Sequence, residues 1–174
     1  IQIMRDHVSL YLDRARRAAR AQTLGAATDV EPVLAALGRT IMRINKDRGV
    51  TIEVTVTPGL KFRGEVQDLE EMAGNLIANA VAYSPAGAHV GVGVRVVDGV
   101  VEIAVTDQGT GIAEADQQRI FERFYRADQA RSRRTGGTGL GLAIVKHAVQ
   151  RHDGEVRVWS QPGRGSTFTI RIPE

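Results

Sequence analysis

Asn75, Asn79 and Tyr83 are spaced by four, so a helix carries them along one face, beside an apolar stripe of Leu69, Met72, Ala73, Leu76, Ile77 and Ala80. An amide carbonyl is an oxygen ligand that magnesium accepts alongside its waters and a substrate's phosphates, and the spaced pair of asparagines points to such a site. A single Asn there would more simply bond to buried backbone. Further on, Asp107 ends an apolar strand and is followed by Gly109 and Gly111. A carboxylate at a strand end can accept a hydrogen bond from an exocyclic amine, and the glycines leave room for a flat base against the backbone. On its own, DxGxG is also an ordinary turn. Gly137, Gly139 and Gly141 precede a helix, where unpaired amides and the positive helix end can hold phosphates. This is not a Walker loop, which needs Lys-Ser/Thr after its last glycine, and an arginine-rich loop rather than a strand precedes it.

These residues fall in four blocks: 75–85 (NLIANAVAYSP), 107–112 (DQGTGI), 121–128 (FERFYRAD) and 136–148 (GGTGLGLAIVKHA). The elements that must position them follow from periodicity. A helix is predicted over 32–48, opened by Pro32 and stopped by Gly49, then a strand over 51–57 closed by Pro58-Gly59. A second helix spans 67–84. Strands 90–96 and 100–106 flank Asp98-Gly99, a specific hairpin signal. Residues 113–137 carry arginine, glycine and threonine with little periodicity and read as a long functional loop. Helix 140–152 and strands 155–160 and 166–172 complete the chain. Residues 25–28 read as a break, and before it Ile1, Met4, Val8, Tyr11, Ala15 and Ala18 keep a heptad spacing that expects a partner helix. The fold class is an α/β (α+β) two-layer sandwich, with helices on one face of a mixed, largely antiparallel sheet.

With 174 residues, 43% of them hydrophobic, the chain can bury a core of its own. The absence of cysteine excludes a disulfide framework and a thiolate zinc site. No run of about eighteen apolar residues is present. The net charge of +3 comes from 23 Lys and Arg against 20 Asp and Glu, and the basic excess is local, at Arg14 to Arg20 and Arg119 to Arg134. With aromatics at 5% and no recognition motif, nucleic acid is not an expected partner.

In this order the four blocks resemble the N, G1, F and G2 boxes of the catalytic ATP-binding domain of bacterial sensor histidine kinases, the Bergerat or GHKL fold. The likeness covers roughly residues 30–173, and the lead-in resembles the end of the dimerisation helix, so that 1–24 and 25–174 are the implied units, with an ATP lid near 113–137. The resemblance implies ATP and Mg2+ as ligands. It makes Asn79 the magnesium ligand, Asn75 a phosphate-side partner, Tyr83 a base-stacking wall and Asp107 the adenine reader, with Gly109, Gly111 and Ile112 on the base side. Phe121 and Arg126 anchor and charge the lid, and Arg123 reaches the γ-phosphate. Gly137, Thr138, Gly139, Leu140, Gly141 and Leu142 lie on the phosphate side, and Thr167, in the closing strand, joins the nucleotide-binding set. The implied partners are the protein's own dimerisation domain and a response regulator. The implied parent is a homodimer at the inner membrane, attached through upstream segments, with this part in the cytoplasm.

Two departures stand out. Ala82 occupies a position where many family members carry Lys or Arg, and the phosphoacceptor box is absent, since His7 lies in His-Val-Ser-Leu-Tyr. His152 falls near a helix C-terminus, where its partial charge suits the dipole. Two other readings compete with the kinase. A GHKL-type hydrolase needs a Glu four residues before the magnesium-binding Asn, and that position is Asn75; pairing Glu71 with Asn75 instead breaks the match of the later residues. A nucleotide-sensing interaction module is the second.

Overall fold

The computed structural model describes residues 27–126 and 140–174. The lead-in helix, Gly137, Thr138 and Gly139 lie outside the described residues.

Helix α1, Val30–Ile44, buries Val30, Leu34 and Gly38 at successive intervals of four, and Pro32 sits in its first turn. Gly38 is needed for packing: a β-carbon there would stand 3.4 Å from Ile52, so its absence lets the helix settle onto the sheet. Asn45 ends α1, its side chain donating to the Ile41 carbonyl at 2.9 Å, and a 3-10 turn, Lys46–Arg48, leads to left-handed Gly49.

Strand β2, Thr51–Val56, is followed by β3, Lys61–Arg63, and by α2, Val66–Tyr83. β3 pairs with β1, Ala27–Asp29, in a two-stranded ribbon, and Thr28 Oγ1 donates to the Gly64 carbonyl at 2.9 Å. The expected break at 25–28 is thus partly strand, because three residues are too few to show an alternation. The hairpin of β4, His89–Val97, and β5, Val100–Asp107, turns through Asp98 and Gly99, both at positive φ as a type I′ turn requires. One short helix, α3 at Glu114–Gln117, occupies the start of the segment expected to lack regular structure. Helix α4 is Gly141–Arg151, followed by β6, Glu155–Gln161, and β7, Gly165–Pro173.

The main sheet has the order β2-β4-β5-β7-β6; β2 and β4 are parallel and every other neighbouring pair is antiparallel. Helices α1, α2 and α4 cover one face, and the core between the layers is built from residues such as Leu69, Met72, Leu76 and Ile77 of α2 against Val92, Ile103 and Ile170 of the sheet. The two-layer α/β sandwich expected from the sequence is therefore the fold. On the opposite face Arg95, Glu102, Arg171 and Glu155 stand side by side in register, with charge contacts of 3.6, 3.9 and 3.4 Å. Among the described residues no helix is long and apolar enough to cross a membrane.

Candidate functional site

Asp107 closes β5 directly opposite Ser166 of β7. Its Oδ1 accepts two backbone amides, from Gly109 at 2.8 Å and from Ser166 at 3.2 Å. The side chain is buried, and the loss of hydration pushes its pKa above the usual 3.8, while the two amide bonds pull the other way. Both bonds fall on one oxygen, so Oδ2 is the atom this carboxylate can offer to a hydrogen-bond donor.

Gly109 lies under the end of α2: a β-carbon would stand 2.6 Å from the Tyr83 carbonyl and 2.9 Å from Asp107 Oδ1. Gly111 has φ +73°, and a side chain would run into the Gln161 carbonyl and come within 2.9 Å of Pro162. Both glycines thus admit the protein's own backbone. Gly109 lets the segment after β5 pack closely against the Tyr83 end of α2, although the two are distant in the chain.

On α2, Asn75, Asn79 and Tyr83 are half-buried at the margin of the core stripe. The Asn75 Nδ2 donates to the Glu71 carbonyl at 2.7 Å, one turn back, which leaves Oδ1 as its outward atom. That oxygen is 3.5 Å from where a β-carbon on Gly141 would sit. Gly141 opens α4, whose N-terminus has no side-chain cap from its N-cap position, Leu140, among the described residues, and no acid in its first turn. The first amides of a helix lack intrahelical partners and favour an anion. The sandwich therefore brings together Asn75 and the helix end marked by Gly141. Leu142 and Ile112 are half-buried against the core, and Leu140 is half-buried just before α4.

Phe121 meets Phe168 edge-on, ring centres 6.2 Å apart, which fixes the root of the arginine-rich segment to β7. The Arg119 guanidinium lies 4.4 Å from the Tyr125 ring centre, and the Tyr125 hydroxyl donates to Asp116. Arg123 is exposed and Arg126 half-buried.

Thr167 requires a correction. Its hydroxyl meets that of Thr106 at 3.1 Å on the outer face of the sheet, away from the helices. Alternation along β7 turns Ser166, not Thr167, to the side of Asp107. Sequence reasoning also missed Arg48, whose Nη2 donates to the carbonyls of Ala82 and Ser84 at 3.0 and 2.7 Å and so caps the end of α2. His152 is more enclosed than its place near a helix end suggested. Its Nε2 lies 3.3 Å from Asp68, and its ring packs on Phe62 at 5.1 Å. Glu71 is paired with Arg151 at 3.1 Å, which ties down the carboxylate that a hydrolase would need as a base.

Residues 64–174 match the family model described as histidine kinase-, DNA gyrase B- and HSP90-like ATPase. The sensor-like histidine kinase SenX3 of Mycolicibacterium smegmatis is 54% identical over 125 residues, which make up 72% of this chain and 33% of that protein. WalK of Bacillus subtilis, a sensor histidine kinase, is 44% identical over 107 residues, 60% of this chain and 18% of that protein. The chain spans about a third of the length of the first curated relatives it matches. Among solved structures, the mycobacterial sensor histidine kinase MprB superposes with a TM-score of 0.76 at 36% identity, covering 85% of this chain and 97% of that one. Full-length ShkA, solved in complex with AMPPNP, gives 0.72 at 28% identity, covering 85% of this chain and 30% of that one.

Proposed function

The chain belongs to the histidine kinase-, DNA gyrase B- and HSP90-like ATPase family, and from that membership we propose that it binds Mg-ATP and delivers the γ-phosphate to a histidine on a dimerisation domain. Residues 1–24 are, in this reading, the end of that domain's helix and 25–174 the catalytic unit. The observation that carries it is Asp107: a buried carboxylate with one oxygen held by two backbone amides and the other left for an amine such as that of adenine.

Tyr83 then walls the base, with Gly109, Gly111 and Ile112 behind it. Asn75 and the amides of Gly137, Thr138, Gly139, Leu140, Gly141 and Leu142 take the phosphates. The Asn79 amide carbonyl fits magnesium, which keeps waters and phosphate oxygens as its other ligands. Arg123 neutralises charge on the γ-phosphate, supported by Arg126, while Phe121 fixes their segment to Phe168. Phosphoryl transfer draws its catalysis mainly from such positioning and charge neutralisation. The attacking imidazole nitrogen comes from outside these groups, and ADP leaves. The parent is a homodimeric sensor kinase that passes phosphate to a response regulator, with this unit on the cytoplasmic side of a membrane-anchored protein. The SenX3 and WalK likenesses and the nucleotide analogue in ShkA support this reading.

Incubation with γ-labelled ATP tests it. The chain alone is expected to stay unlabelled, whereas the histidine-bearing helix pair of its parent, added separately, acquires an acid-labile, base-resistant label. Release of free phosphate at the same rate with and without the acceptor, and no label on it, points instead to a hydrolase.

A further inference from the structure

Five buried side chains among the described residues are polar, and three of them, Asp107, Ser160 and Ser166, belong to one chain of hydrogen bonds. It begins where Asp107 Oδ1 accepts the Ser166 amide at 3.2 Å. The Ser166 hydroxyl meets Ser160 Oγ at 2.8 Å, and Ser160 Oγ lies 2.9 Å from the Gly165 carbonyl. Ser160 Oγ also accepts the Ile112 amide at 2.7 Å. The Gln117 side-chain amide closes the chain by donating to the carbonyls of Ile112 and Ser160, each at 3.1 Å. One serine of the edge strand β6 thus joins the strand end that carries Asp107 to the turn that opens the arginine-rich segment.

The protons on this chain can be arranged in two ways. A serine hydroxyl donates one hydrogen bond and accepts two. Ser160 accepts from Ile112, so its single proton goes either to the Gly165 carbonyl or to Ser166 Oγ. In the first arrangement Ser166 gives its own proton to Ser160. In the second, Ser166 accepts from Ser160 and its own proton is left for another acceptor. Two hydroxyl rotations interconvert them without moving a heavy atom. A ring that gives an amine hydrogen to Asp107 and presents an acceptor nitrogen beside it selects the second arrangement. The hydroxyl that holds Ile112 is then repolarised, since linked hydrogen bonds strengthen or weaken one another.

We infer that Ser160 is a positioning residue that couples occupancy at Asp107 to the order of the turn from Ile112 to Gln117. The inference rests on reading Asp107 as the contact to the base. It assigns Ser160 no contact with the nucleotide.

Hydrogen exchange of the amides from Ile112 to Gln118, with and without ADP, tests it in the wild type, Ser160→Ala, Ser160→Thr and Gln117→Ala. A hydrogen bond's net worth corresponds to roughly a fivefold to tenfold slowing, which is the ADP effect expected in the wild type. That slowing is expected to shrink to less than about a third in Ser160→Ala and to return in Ser160→Thr, which keeps the hydroxyl. Gln117→Ala, on a short surface helix, tests the same chain from its far end and decides the matter if Ser160→Ala does not fold. ADP-induced slowing that persists in the folded variants, while the wild type binds ADP, overturns the inference alone. A wild-type protein that fails to bind ADP removes the reading of Asp107 and the inference with it.

Discussion

Asn75 and Gly141, from different helices, face one another across the α2–α4 contact, with the Asn75 side-chain oxygen 3.5 Å from the point where a β-carbon on Gly141 would begin. The Asn75 amide nitrogen is already bonded to the Glu71 carbonyl. Asn75→Ala gives up that bond but gains helix propensity, so its stability cost is expected to stay within about 1 kcal/mol. Mg-ATP affinity is expected to fall at least about tenfold, the worth of one charge-assisted bond. Calorimetry and thermal unfolding on the same sample separate the two effects; a large loss of stability with affinity intact would contradict the assignment.

Gly111 and Gly91 make opposite steric predictions. Gly111 combines φ +73° with contact against the Gln161 and Pro162 backbone, whereas a β-carbon at Gly91 meets nothing within 4 Å. Gly111→Ala is expected to destabilise by about 2 kcal/mol or more, a Tm loss of at least about 4 °C. Gly91→Ala should be neutral or stabilising by up to about 1 kcal/mol, because glycine is unfavourable within a strand. A Gly111→Ala protein of normal Tm that has lost only nucleotide binding would mean that the glycine makes room for ligand instead.

How much of this was legible in the sequence depended on how local the cause was. The α2 face of Asn75, Asn79 and Tyr83 follows from the helical period, and the Asp98-Gly99 turn from its backbone demands, so both could be read from neighbouring residues. Thr167 could not. Which of Ser166 and Thr167 turns toward the site is set by their pairing with Asp107 and Thr106, about sixty positions back along the chain. The Arg48 cap on α2 and the Ser160 contact with Ile112 likewise join segments that only the fold brings together. The glycines of DxGxG were visible, but the backbone they accommodate was not.

Burial raises the Asp107 pKa above 3.8, so the folded protein holds this proton more tightly than the unfolded chain does. Its contribution to stability is complete below that ordinary value and is lost as pH rises through the raised folded one. Asp107→Asn keeps an acceptor for Gly109 and Ser166 and removes the buried charge. It is therefore expected to melt higher than the wild type at neutral pH, with the gap closing toward about pH 4. Thermal unfolding across that range checks it, and a gap independent of pH contradicts it.

Arg123 is exposed and is proposed to meet only the terminal phosphate. Charge-assisted arginine–phosphate bonds are worth about 1.5–3 kcal/mol, so Arg123→Ala should weaken ATP roughly tenfold or more and leave ADP nearly unchanged. Equal losses for the two nucleotides, measured by competition with a fluorescent analogue, would remove Arg123 from the γ-phosphate.

The most direct measurement is calorimetric titration of Mg-ATP into the wild type and Asp107→Asn at neutral pH, with circular dichroism of both. A buried carboxylate that accepts the base amine is worth about 3 kcal/mol, and its loss predicts at least about a hundredfold weaker binding in a variant of native spectrum. Unchanged ATP affinity in a natively folded Asp107→Asn protein would contradict the account.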